Sequence, residues 1–237
     1  LFYRDKDARY VGKIHEQLVT SLPREVVGGP IVLHYGYLPS VAQRKAKLAR
    51  NEEILAETTT ERGTPFDWYN FGLNLMSSNR PAEALEALER YLALEAPEAV
   101  RYRPSAYWHA ARAALACNKK ELALEYAEKA CQAPLPECYF TKGQVLEALG
   151  RTEEAIAAYR QAASLPDPPA NLYQVFNQSD SSIKLWRASL AAASLLEKQK
   201  RYAEAEQEYR RALAVDVTNL PALLGLARTK RLQERSR

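Results

Sequence analysis

Residues 82–94 read AEALEALERYLAL, and the fold turns on how that stretch recurs. Three later stretches follow the same plan: ELALEYAEKACQA at 121–133, EEAIAAYRQAASL at 153–165 and AEAEQEYRRALAV at 203–215. In each, a small residue is followed at helical spacing by aliphatic or aromatic ones, which draws one apolar stripe along a charged helix. Anchored on Ala84, Ala123, Ala155 and Ala205, the copies stand 39, 32 and 50 residues apart. A helix recurring at about 34 residues leaves room for a second helix in every period, which predicts helix–turn–helix units stacked in a row. The longest interval carries an insertion, DPPANLYQVFNQSD, at 167–180.

The segments ahead of those stretches supply the partner helices, and with them the chain resembles the tetratricopeptide-repeat family. Trp68, Gly72 and Ala84 in the first unit match the family's pattern. So do Tyr139, Gly143, Leu146, Gly150, Ala155, Tyr159 and Ala162 in the third. The second unit departs, with Ala111 and Ala114. The fourth has Ala193 in place of glycine but keeps Tyr202, Ala205, Tyr209 and Ala212. Small residues let the two helices of a unit approach, and the larger ones fill the seam.

Punctuation agrees with this division. Thr64 and Pro65 offer an N-cap and an N1 proline, while Pro97, Pro104, Pro134, Pro136, Pro166 and Pro168 fall between units. The expected fold is mainly α: an α-solenoid of about four repeats, near 65–98, 104–134, 136–166 and 184–217. A solvating cap helix over 219–235 completes one superhelix spanning 64–237.

The resemblance implies that the first helix of each unit lines a groove through its fifth and ninth positions. These are Tyr69 and Leu73, Trp108 and Arg112, Phe140 and Gln144, Leu190 and Ser194. Three aromatics and an arginine suit an extended protein or peptide partner, or a glycan acceptor stacked on the rings. The competing reading is that they pack against neighbouring helices. His109, alone on its helix, reads as structural or solvated.

The first sixty residues do not fit the repeat. ARYVGKIHEQLVT (8–20) alternates polar and apolar residues weakly, and GPIVLHYGYL (29–38) is an apolar, β-branched run, so both predict strands. PSVAQRKAKLARNEEILAE (39–57) predicts a helix, with Ser40 and Gln43 as a capping box and Val41, Leu48 and Leu55 as its stripe. Such a set is too small to bury a core alone. The motifs LFYR (1–4), GKIHEQL (12–18), HYGY (34–37) and Lys45, Lys47, Arg50 and Asn51 resemble the carboxyl end of a family 2 glycosyltransferase domain, which in bacterial members precedes such repeats.

That resemblance implies a β-containing remnant of an α/β domain over residues 1–60, in a parent enzyme using a nucleotide-sugar donor and a divalent metal, Mn²⁺ or Mg²⁺. It would make Glu16, beside His15, a candidate acceptor-side base and His34 a candidate metal or diphosphate ligand. Neighbouring strand residues face opposite ways, so at most one of His15 and Glu16 faces such a site. Asp5-Lys6-Asp7 spells a metal motif but lies outside the expected context. No phosphate-cradling loop is present, so the chain by itself is expected to bind no cofactor and to be catalytically inert. Met76 is the only methionine, which suggests that residues of the parent precede Leu1.

Composition narrows the field further. Charged residues make up 26% and no apolar run approaches the ~20 residues of a membrane span. The net charge of +4 is interleaved along helices rather than gathered into a nucleic-acid surface. Cys117, Cys131 and Cys138 form an odd set without metal-like spacing, and free thiols point to a reducing, cytoplasmic setting. Two readings compete: the carboxyl-terminal part of a glycosyltransferase whose repeats orient the acceptor, and a non-catalytic scaffold that binds a peptide or self-associates.

Overall fold

The computed structural model describes residues 9–11, 17–19, 41–166, 180 and 182–235. Among them helices dominate, arranged as successive antiparallel pairs. Helix α1 (Val41–Arg62) leads to α2 (Pro65–Ser77) and α3 (Pro81–Leu92). A one-turn α4 (Pro97–Val100) precedes α5 (Arg103–Ala116) and α6 (Lys120–Ala130). Then come α7 (Pro136–Ala148) with α8 (Thr152–Ser164), and α9 (Ala188–Lys198) with α10 (Tyr202–Val215). Helix α11 (Leu220–Arg235) closes the row, packing on α10. Each second helix also packs on the first helix of the next pair, so the core runs through the stack.

The entry to α2 follows its sequence signal. The Thr64 hydroxyl accepts from the Asp67 amide while the Asp67 carboxylate takes the Thr64 N–H at 3.0 Å, and Pro65 sits at the first helical turn. The turns inside the pairs share one geometry. Asn79, Asn118, Gly150 and Lys200 have φ of 58°, 58°, 74° and 62°. The next amide in each, that of Arg80, Lys119, Arg151 and Arg201, returns 2.9 Å to a carbonyl of the first helix. This is the left-handed helix stop that glycine and asparagine tolerate best. Arg80, Arg151 and Arg201 then fork onto Glu83, Glu154 and Glu204, three residues on, starting the second helix.

Seam packing explains where the repeats depart from their pattern. Gly72, Ala111, Gly143 and Ala193 each precede by 16 residues a position on the second helix: Leu88, Ala127, Tyr159 and Tyr209. A Cβ on Gly72 would lie 2.6 Å from Leu88, and one on Gly143 2.5 Å from the Tyr159 ring. In the second unit the partner is itself alanine, so Ala111 fits. Tyr209 is accommodated from the other side, where Gly225 of α11 would bring a Cβ within 2.3 Å of its ring.

The first sixty residues correct the expectation. Within the strand expected over residues 8–20, the described residues form two strands, β1 (Arg9–Val11) and β2 (Gln17–Val19), paired antiparallel with Tyr10 opposite Leu18. A remnant of an α/β glycosyltransferase domain finds no support among the described residues. His15, Glu16, His34, Ser40 and Asp5-Lys6-Asp7 lie outside the described residues, as does the expected strand over 29–38. The helix after them runs on to Arg62, and the Thr58 and Thr59 hydroxyls fold back on the Ile54 and Leu55 carbonyls at 2.7 and 2.9 Å, which satisfies those hydroxyls within the helix. It packs on α2: Leu55 and Asn51 are buried, and the Asn74 amide donates to the Leu48 carbonyl at 3.1 Å.

Candidate functional site

Proline and the 3.6-residue period place the site. Pro104 and Pro136 stand in the first turns of α5 and α7, so the two helices start in register along the stack. Trp108 and Arg112 on α5 then share a face, as do Phe140, Thr141 and Gln144 on α7. A cavity of about 320 Å³ opens between these faces and the entrance to α9, lined by the five residues together with Glu137, Asp180, Ile183 and Arg187. No residue of α6, α8 or α10 lines it.

The aromatic walls are nearly closed over. Trp108 and Phe140 retain 6% and 8% of their exposure. The Trp108 indole N–H donates to the Thr141 hydroxyl at 2.8 Å, which fixes the ring across the unit boundary. Each ring carries an arginine: Arg112 lies 4.9 Å from the Trp108 centroid and Arg187 5.1 Å from that of Phe140. Burial pushes the Arg112 pKa down.

The charges around the cavity are unevenly paired. Arg187 forms an ion pair with Asp180, whose carboxylate also accepts from the amide and hydroxyl of Ser182. Asp180 is thereby held below its ordinary range, although burial opposes the shift. Glu137, in the first turn of α7, is only 4% exposed. Its Oε1 accepts the Asp180 amide at 2.9 Å, while its buried Oε2 has no hydrogen-bond partner among the described residues. Burial raises the Glu137 pKa, and the Asp180 carboxylate adds to the shift. Arg112 has no carboxylate partner among the described residues.

Of the groove positions expected from the sequence, Trp108, Arg112, Phe140 and Gln144 meet in this cavity. Leu190 and Ser194 line a neighbouring one of about 430 Å³ with Tyr209, Leu220, Pro221, Leu224 and Arg228. Tyr69 lies elsewhere: it is fully buried, its ring 5.1 Å from that of Tyr102 and its hydroxyl 2.7 Å from Ser105. Leu73 is half-buried and packs in the same core. His109 is 1% exposed against Trp108, with both ring nitrogens unpartnered.

Glu137, Thr141, Asp180, Ile183 and Arg187 were not legible as site residues. A glutamate after proline in a first helical turn ordinarily complements the helix dipole. The last three enter through the insertion and a π-helical turn at Ile183–Arg187. Among the described residues no group of three or more metal-ligating side chains gathers, and no helix is long and apolar enough to cross a membrane.

Two family models, both described as tetratricopeptide repeat, match the chain, one over 136–167 and the other over 69–136 and 186–221. These matches begin at residue 69, so they lend nothing to the glycosyltransferase resemblance. The fold is similar to the crystal structure of MamA, at 16% identity and a TM-score of 0.59, covering 78% of this chain and 96% of that one. It is also similar to YrrB, described as a TPR protein with an unusual peptide-binding site, at 18% identity and 0.54, covering 77% and 85%. TTC0263, a thermophilic TPR protein in Thermus thermophilus, matches at 20% identity and 0.54, covering 81% and 92%. No curated protein matches the chain.

Proposed function

Because the chain belongs to the tetratricopeptide-repeat family, we propose that it is a non-catalytic scaffold that binds an extended peptide. The observation that carries the reading is the cavity shared by Trp108, Arg112, Phe140 and Gln144, whose described lining comes from first helices and the entrance to α9. The exposed edges of Trp108 and Phe140, with Arg112 and Arg187 over their rings, give a peptide a rigid rim to pack on at little entropic cost. Arg112 and the exposed Gln144 offer hydrogen bonds to its main chain or to a carboxylate. YrrB, a structural neighbour of the same repeat type, is described as having an unusual peptide-binding site. His15, Glu16 and His34, with the nucleotide-sugar and metal chemistry attached to them, have no part in this reading, and neither does a glycan acceptor.

The test combines Arg112→Ala with Gln144→Ala. Gln144 is exposed, but Arg112 is half-buried over the Trp108 ring, so melting curves accompany the test. The folded double variant should lose about tenfold or more in affinity for a peptide selected on the parent, and Gln144→Ala alone should weaken it in the same direction. Unchanged affinity places the peptide elsewhere.

A second reading, self-association, is favoured by Val215, Val217, Leu220, Leu223 and Leu224, all exposed at the carboxyl-terminal end of the stack. Its mark is a mass in solution that rises with concentration; a constant monomeric mass excludes it.

A further inference from the structure

Resting on the peptide reading, we infer that Glu137 sets specificity in the cavity by selecting a peptide that carries a lysine or arginine side chain. Glu137 is a carboxylate almost wholly removed from water, and one of its oxygens is left without a donor. A buried acceptor in that state costs free energy that a partner would recover. Two arginines line the same cavity, yet neither supplies the missing bond. Arg187 is committed to Asp180 and to the face of Phe140, and Arg112 lies over Trp108.

A cation suits the open acceptor better than a neutral N–H. The second carboxylate beside Glu137, that of Asp180, is matched by Arg187. Arg112, although it lines the same cavity, lies over Trp108 and makes no hydrogen bond to Glu137, so among the described residues no cation sits on the Glu137 carboxylate itself. A neutral donor would complete the hydrogen bond but leave that charge desolvated, whereas an ammonium or guanidinium answers both. Phe140 and Ile183 line the approach and would cover the aliphatic stem of a long basic side chain. Burial and the neighbouring carboxylate both raise the Glu137 pKa, the direction a bound cation would reverse.

The experiment selects binders from a random decapeptide library on the full chain and on Glu137→Gln, with melting curves to check folding. The glutamine at 137 keeps the volume and the oxygen that accepts the Asp180 amide but removes the charge. On the parent chain, lysine or arginine should be enriched at one fixed position. On Glu137→Gln that preference should vanish, and parent-selected peptides should bind roughly thirty-fold more weakly. Selected peptides without a basic position, or binding indifferent to Glu137→Gln, overturn the inference while leaving the peptide reading standing. If no peptide is enriched on the parent chain, both fall. Should Glu137→Gln fail to fold, Glu137→Asp replaces it: the shortened carboxylate should weaken the same peptides, and full affinity again refutes the inference.

Discussion

Gly143 and Gly150 sit on one helix and its exit, and each is required for a different reason. At Gly143 the constraint is space, because an added Cβ would stand 2.5 Å from the Tyr159 ring. At Gly150 nothing lies within 4 Å, and the constraint is the φ of 74°. Gly143→Ala should therefore cost about 2 kcal/mol through overpacking, and Gly150→Ala about 1 kcal/mol through backbone strain, both read by urea denaturation. Gly150→Asn should lie within about 0.5 kcal/mol of the parent, since Asn79 and Asn118 already hold the equivalent turns. Equal losses for both alanine variants would contradict this division. His109 makes a second prediction. Its pKa is pushed down to about 3, first by burial and then by Arg112, against an ordinary 6.5. As pH falls below 6.5 the unfolded chain takes the proton and the folded one does not, so stability is complete above that value and drains away below it. Between about pH 6 and pH 5, above the carboxylate range, the slope should approach 1.4 kcal/mol per unit. His109→Leu should flatten it; an unchanged slope would assign the effect to other groups.

Among the elements, the paired helices were the legible part, and the reason is physical. An alanine-anchored stripe such as 153–165 can bury itself only against another helix, so periodicity and spacing dictated the stack. The hidden parts were those held by single contacts. The position of Tyr69 resembles that of a groove residue, but Tyr91 and Tyr102 enclose it, and no periodic signal reports a neighbour's ring. The π-helical turn before α9 likewise has no pattern of its own, although it brings Ile183 and Arg187 to the cavity. Between α8 and α10 the link is electrostatic: Glu208, 2% exposed, accepts from Arg160 at 2.7 Å and Arg211 at 3.1 Å. The arginines remain partly in water, so Glu208→Gln should cost about 2 kcal/mol, between the values for an exposed and a fully buried pair. A loss below about 0.5 kcal/mol would show that the bridge merely decorates the surface.

For the molecule as a whole, a stack in which each repeat packs on the repeats beside it stores stability locally and presents a continuous face along its first helices. The central claim is that this face, at Trp108 and Phe140, is where a partner peptide lies. Three tryptophans, Trp68, Trp108 and Trp186, give three indole N–H signals in an ¹⁵N-labelled sample. Trp68 serves as the internal reference, since it lines a separate cleft with Phe71, Glu86 and Arg90. Titrating a library-selected peptide should shift the Trp108 indole, whose hydrogen bond to Thr141 forms the cavity wall, and leave Trp68 in place. A saturating peptide that moves Trp68 but not Trp108 would contradict the account.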